Sequence, residues 1–165
     1  MFREMRRKGQ ALAKVSAEEI LIRGQTGVLA VSGDDDYPYA LPLNYAYEDD
    51  RIYFHCARSG HKLDAIRRNG KVSFCVIDAD QVVPEEFATD YRSAVAFGRA
   101  VEVEDDDDRL HGLRLLNKKY APSLPTQGEE AIQKDWKFVC VIRIDVEHLS
   151  GKEAIEQVKQ ANRRN

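Results

Sequence analysis

The sequence predicts a mainly β fold with peripheral helices, and within that class a small antiparallel barrel. Three observations carry this expectation. At least six short stretches rich in Val, Leu, Ile, Tyr and Phe are separated by turn-forming residues. The few helical patterns do not alternate with them as a βαβ sheet would require. Tyr91–Glu104 reads as one strand long enough to curve around a closed sheet, with Gly98 marking a bend or bulge. A chain of 165 residues with 43% hydrophobic content fits one domain with a continuous core. The expected organisation is an N-terminal arm over residues 1–15, the barrel domain over 16–152, and a polar tail or helix over 153–165.

Taken in order, Ser16-Ala17-Glu18-Glu19 has capping-box spacing, with Ser16 as N-cap and Val15 and Ile20 placed for a hydrophobic staple, so a short helix is expected to run to about Gly24. Gly27–Ser32, Tyr39–Tyr47 and Arg51–Cys56 read as strands, separated by the turns Gly33–Asp36 and Glu48–Asp50. His61–Asn69, with Leu63 and Ile66 on one face, predicts a two-turn helix with Gly70 as its C-cap. Lys71–Asp78 returns to strand character. Asp105–Tyr120 predicts a helix whose acidic start complements the helix dipole and whose Leu110, Leu113 and Leu116 form a packing face. Its four aspartates lack the alternating ligands and central glycine of a calcium loop, so they read as structural. Pro122 and Pro125 bound an expected loop. Trp136–Glu147 supplies the last strand, and Ala154, Ile155, Val158 and Ala161 give the tail the apolar face of a weak helix.

Composition narrows the function classes. Lys plus Arg number 25 against 28 Asp plus Glu, a net charge of −3, so nothing draws the chain broadly to nucleic acid or to an anionic membrane. No apolar run approaches the roughly 20 residues of a membrane-spanning helix, and the basic start Met1–Lys8 has no secretory pattern, so a soluble cytoplasmic protein is expected. The cluster Arg3, Arg6, Arg7 and Lys8, interrupted by Glu4, reads as a solvated arm. Three cysteines without CxxC spacing support neither a disulfide framework nor a metal site. Cys75 and Cys140 read as buried thiols and Cys56 as a small packing residue beside a ligand loop.

The chemistry concentrates in Arg51–Ile66, a strand, a small polar turn, and a helix opening with His61-Lys62. Free N–H groups at a helix N-terminus attract an anion, Lys62 adds a full charge, His61 a donor, and Ser59 and Gly60 allow close backbone approach. Taken alone, the same pattern reads equally as an ordinary helix start. Upstream, Pro42 inside a strand requires an edge, a bulge or a ligand surface for its missing N–H, and Asn44 lies on the same side. A flat ring with donors and acceptors on its rim fits such a surface. His55, at the end of its strand, reads as a ligand-site residue or a structural strand-end histidine. His111 and His148 read as surface groups, and Trp136 as core or rim.

These runs resemble a known family. Tyr37-Pro38-Tyr39-Ala40-Leu41-Pro42-Leu43-Asn44-Tyr45, then Ile52–Ala57 and Gly60-His61-Lys62-Leu63-Asp64-Ala65-Ile66, then Val72–Phe74, Tyr91–Val95, Phe97–Ala100 and Leu149–Lys152, are similar in order and spacing to the nitroimidazole-resistance branch of the pyridoxamine-phosphate-oxidase-related split barrels. The resemblance spans roughly Leu21 to Lys152. It implies a six-stranded antiparallel FMN-binding split barrel that holds FMN at the interface of a homodimer. The phosphate would lie at Ala57, Ser59, Gly60, His61 and Lys62, and the flavin ring along Pro42, Leu43, Asn44 and Tyr45, with His55, Cys56 and Ser93 completing the cofactor set. No side chain is required as nucleophile or base, because FMN carries the redox chemistry. Small-molecule electron donors and acceptors, including a nitroaromatic, are the implied partners, and the absence of a nicotinamide fingerprint makes the donor a diffusing one. Pyridoxamine-phosphate oxidases end the phosphate turn in Ser-Arg-Lys where this chain has Gly60-His61-Lys62, which replaces an arginine by a pH-sensitive group. The alternative is a non-enzymatic flavin or heme binder, a carrier or sensor, although no histidine spacing specifies an axial ligand.

Overall fold

A computed structural model describes residues 2–155. Its strands are β1 (Ala11–Leu12), β2 (Thr26–Ser32), β3 (Pro38–Asn44), β4 (Ala46–Glu48), β5 (Arg51–Ala57), β6 (Lys71–Val83), β7 (Ala88–Glu102) and β8 (Val139–Glu153), and its helices are α1 (Lys14–Arg23), α2 (His61–Arg68), α3 (Asp106–Tyr120) and α4 (Pro125–Asp135). Six long strands and the two short ones, β1 and β4, form one sheet. Its order is β3-β2-β6-β7-β8-β5-β4, with β1 also paired to β8, and every ladder is antiparallel. The two ends of that order, β3 and β4, are joined in sequence by the single residue Tyr45. The sheet therefore rolls until its two end strands adjoin at Tyr45 without pairing, which is the expected split barrel.

Alternation along the strands turns Leu29, Phe54, Phe74, Ile142 and Ile144 into the barrel, where they are buried with Tyr45. Ala17, Ile20 and Leu21 of α1 complete this core. A second cluster lies outside the barrel, where α3 and α4 cover Tyr53 and Val141 through Leu113 and Ile132. Such burial stabilises by about 1.5–3 kcal/mol per large side chain.

The long β7 curves where Gly98 was expected to allow it. Phe97 pairs with His148 and Gly98 with Val146, so Glu147 is an extra residue on β8. The acidic run also behaves as expected. The Asp105 carboxylate caps α3 by accepting the Asp108 N–H at 2.9 Å, and Asp108 in turn accepts the Tyr53 hydroxyl at 2.8 Å and pairs with Arg143. Replacing Asp105 by Ala should cost about 1 kcal/mol, read as a lower urea midpoint at unchanged m-value.

Several local expectations are corrected. Helix α1 begins at Lys14 with Ala13 as N-cap, so Ser16 lies inside the helix, and Val15 is 64% exposed and staples nothing. Pairing of β1 with β8 fixes the chain just upstream, and the Lys14 ammonium holds the first turn through Glu18 and Asp50. Asn69, not Gly70, caps α2, in an extended conformation. Gly70 is needed for clearance, because a Cβ there would lie 2.8 Å from the Ala100 carbonyl oxygen. The stretch Tyr39–Tyr47 is two strands, broken at Tyr45. Pro122 and Pro125 do bound a short loop, but Pro125 also starts α4, a helix not expected, with proline at a position where its missing N–H costs nothing. The last strand begins at Val139 and runs on to Glu153. Of the arm, Gln10 is buried and donates to the Tyr91 hydroxyl at 3.2 Å. Cys75 is only half-buried. Ala154 is buried; Val158 and Ala161, on which the expected tail helix rests, lie outside the described residues. Among the described residues no helix is long and apolar enough to cross a membrane.

Candidate functional site

Strand β3 pairs only with β2, which leaves its other edge open. The Gly33 N–H donates to the Tyr37 carbonyl, so alternation along the β2–β3 ladder directs the backbone groups of Tyr39, Leu41 and Leu43 to β2. Those of Ala40, Pro42 and Asn44 face the open edge. The missing N–H of Pro42 therefore removes no ladder bond, and the Ala40 and Asn44 amides and the Pro42 carbonyl remain for a ligand. Side chains follow the same alternation. Pro42 and Asn44 are exposed, whereas Leu43 turns inward against the core.

Tyr45 departs from its expected place. Its ring is wholly buried, edge-on to Phe74 at 4.8 Å, and its hydroxyl donates to the Leu21 carbonyl at 2.7 Å, so burial pushes its ionisation far up. Its backbone is also taken. The Tyr45 N–H donates to the Tyr120 hydroxyl, which in turn bonds the Tyr45 and Gln25 carbonyls, pinning the barrel seam from the end of α3. The Lys119 ammonium lies 3.9 Å from the Tyr45 ring centre, and desolvation lowers its pKa to about 8. None of these α3 contacts is legible in sequence, since 75 residues separate Tyr45 from Tyr120.

At the end of β5, Ala57, Ser59 and Gly60 are exposed. Gly60 is the N-cap of α2, with φ 133°, a conformation open chiefly to glycine, and open space where a Cβ would be. Its carbonyl accepts from the Leu63 and Asp64 N–H groups. The N–H groups of His61 and Lys62 lie in the first turn, ahead of any intrahelical acceptor. Lys62 is half-buried near His55 and Cys56. His55 keeps solvent-facing surface, yet desolvation, followed by the Lys62 charge, pushes its pKa down, which favours a neutral imidazole. Burial pushes the Cys56 thiol up, so it is a poor nucleophile at neutral pH.

The His61 side chain is engaged elsewhere. Its ring stacks on Tyr39 with centroids 4.2 Å apart and an interplanar angle of 11°, and its Nε2 lies 3.5 Å from the Asp34 carboxylate. This contact ties the turn directly to β3, bringing the phosphate-type turn and the open strand edge into one cluster. For an anion at the turn, the backbone N–H of His61 is its free donor. Ser93 stands apart. It lies on β7, paired with Ile77 and Lys152, three strands from β3, and does not join the cluster. His111 pairs with Glu48 at 2.8 Å and His148 stacks on Phe2, both away from the cluster as expected.

Comparisons with known proteins bear on the fold and the family. Residues 14–153 match the family model described as pyridoxamine 5'-phosphate oxidase. An uncharacterized protein from Rhizobium meliloti is 29% identical over 116 residues, which cover 67% of this chain and 70% of that protein. Two solved structures are similar in fold. A candidate 5-nitroimidazole antibiotic resistance protein from Bacteroides thetaiotaomicron has a TM-score of 0.73 at 23% identity, covering 87% of this chain and 86% of its own. A FAD-binding protein from Mesorhizobium loti has a TM-score of 0.65 at 28% identity, covering 88% and 97%. The resemblance read from Tyr37–Tyr45 and Gly60–Ile66 is thereby borne out, and the chain belongs to the pyridoxamine 5'-phosphate oxidase family.

Proposed function

We propose that this protein is an FMN-binding flavoprotein that works as an oxidoreductase on small molecules, with a nitroaromatic as one class of acceptor. The observation that carries the reading is the junction of two elements. An anion turn with free N–H groups and Lys62 is stacked, through His61 on Tyr39, against a strand edge whose amide and carbonyl groups are unpaired. The residues fit the cofactor. Open space at Gly60 accommodates a phosphate, and the Ala40–Asn44 edge offers alternating donors and acceptors to a heteroaromatic rim. When bound, FMN would supply electron or hydride transfer. Lys62 and the first-turn N–H groups would hold the phosphate, and neutral His55 would donate or accept a hydrogen bond near it. The fold likeness to a FAD-binding protein supports a flavin, and one anion turn beside the strand edge suits the single phosphate of the mononucleotide.

Purified protein should carry or take up FMN, seen as the flavin's visible absorbance and quenched fluorescence. Absence of any flavin binding overturns the reading. Turnover of a nitroaromatic with a reduced nicotinamide separates an oxidoreductase from a carrier or sensor.

The cofactor is expected to lie at a homodimer interface in the cytoplasm. The outer face of β2, β6 and β7 supports this. Val28, Cys75 and Val95 stand in one cross-strand row on that face, with Phe97 and Ile77 exposed beside them at 38% and 61%. A second copy is the commonest cover for such a face, through C2 pairing. A place for Ser93 in the cofactor site depends on this pairing. Sedimentation should give twice 18.8 kDa, and a strict monomer that still binds FMN tightly sinks the interface.

A further inference from the structure

Cys56 of β5 and Cys140 of β8 are direct partners across one antiparallel ladder. The Val146 N–H donates to the Asp50 carbonyl, and counting in twos from that bond makes Cys56 and Cys140 a hydrogen-bonded pair as well. The Cα atoms of such pairs are roughly 5.5 Å apart, inside the roughly 4.4–6.8 Å that a disulfide spans, while their Cβ atoms, about 5 Å apart, must draw together to the roughly 3.5–4.5 Å of the bond, which makes it an easily reduced one. Residues directly opposed in a sheet point to the same face. Here both side chains turn to the barrel interior, where Cys140 belongs to the main core and Cys56 packs against it.

The environments of the two sulfurs differ. Cys140 is 3% exposed, whereas Cys56 is half-buried, which leaves one sulfur approachable and one shielded. The Cys140 thiol is pushed up to about 12, first by burial and then by the Glu102 carboxylate and Cys56 beside it. Glu102 is itself held by Arg67 of α2 at 2.8 Å. The pair thus sits one residue before Ala57 and is linked through Glu102 and Arg67 to the helix that forms the anion turn.

We propose that Cys56 and Cys140 form a reversible cross-strand dithiol–disulfide couple, oxidised by a low-molecular-weight disulfide. Cys56 loses its proton to solvent and its thiolate attacks one sulfur of the oxidant, giving a mixed disulfide and releasing one small thiolate, which takes up a proton. Cys140, deprotonated in turn, attacks the Cys56 sulfur. The second small thiolate leaves and is protonated, so two protein thiols are oxidised, one small disulfide is reduced to two thiols, and atoms and electrons balance. Because both thiols are held protonated, the first step is slow at neutral pH and accelerates as pH rises toward the Cys56 pKa. Cys75 faces the opposite side of the sheet, in the Val28–Val95 row, and is the internal control.

The test is to incubate the native full chain with oxidised glutathione in mildly alkaline buffer, alkylate remaining thiols under denaturing conditions, and map peptides without reduction. The expected product has Cys56 linked to Cys140 and Cys75 alkylated. Cys140→Ser should accumulate glutathione on Cys56, Cys56→Ser should give no internal disulfide, and Cys75→Ser should behave as wild type. Recovery of Cys56 and Cys140 both fully alkylated, or a disulfide that engages Cys75 instead, overturns the proposal. So does a linked pair that reduced glutathione fails to reopen.

Discussion

Replacing Lys62 by Ala should weaken FMN binding by about ten- to hundredfold while leaving riboflavin nearly unaffected. Hydrogen bonds to a charged group contribute roughly 1.5–3 kcal/mol, and each 1.4 kcal/mol is a factor of about ten in affinity. The selectivity between the two ligands is the informative part, because only FMN carries the phosphate that pairs with an ammonium. Equal weakening of both places the damage in the fold or along the Pro42 edge and removes Lys62 from the phosphate site. The substitution has a second readout. The Lys62 charge depresses the His55 pKa, so its removal should let that pKa rise, which titration of the His55 ring by NMR would follow. His61→Gln should cost less than Lys62→Ala, since its side chain is already committed to Tyr39 and Asp34.

Gly98→Ala should be the most damaging small substitution in the barrel. A Cβ there would lie 2.3 Å from the Asp145 carbonyl oxygen and 3.0 Å from its carbonyl carbon, so backbone rather than a flexible side chain must move. Overpacking costs roughly 1–3 kcal/mol when side chains can yield, and this position should reach about 3 kcal/mol. A fall in the urea midpoint at constant m-value measures it. Gly9→Ala is the matched control, because nothing lies within 4 Å of its added methyl, and it should change the midpoint little.

The barrel was legible because its signals are local. Alternation of apolar residues, the turns around Asp34–Asp36 and Asp49-Asp50, and a glycine interrupting a long strand all act over a few residues, and they locate the long strands, although β6 runs past the expected Asp78 to Val83, β8 is displaced to Val139–Glu153, and the short β1 was not foreseen. The acidic start of α3 was equally readable, since a cap and a dipole are properties of one turn. Helix α4 was not, because two prolines resemble a loop boundary and Ile132 is its one large buried side chain. The start of α1 was misplaced for a related reason. A capping box at Ser16–Glu19 competes with Lys14, Asp50 and the β1–β8 pairing, and tertiary contacts prevail.

For the site, the turn at Ala57–Lys62 and the exposed Pro42 and Asn44 could be read from chemistry that stays within one segment. Side-chain direction could not. Tyr45 and Leu43 lie beside the open edge of β3 but face the core, and the His61 ring is diverted by Tyr39 and Asp34, partners more than twenty residues away in sequence. The placement of Ser93 three strands from the cluster is likewise a property of sheet order.

The Tyr120 hydroxyl at Tyr45 also bears on how the molecule breathes. A ladder amide exchanges its hydrogen with solvent when two strands part, so its protection reports the opening of the sheet. The Tyr45 amide is instead protected by a side chain from α3, and it should exchange at the rate at which that helix lifts away. Motions of α3, far along the chain, would then gate the end of the very strand whose other edge is open.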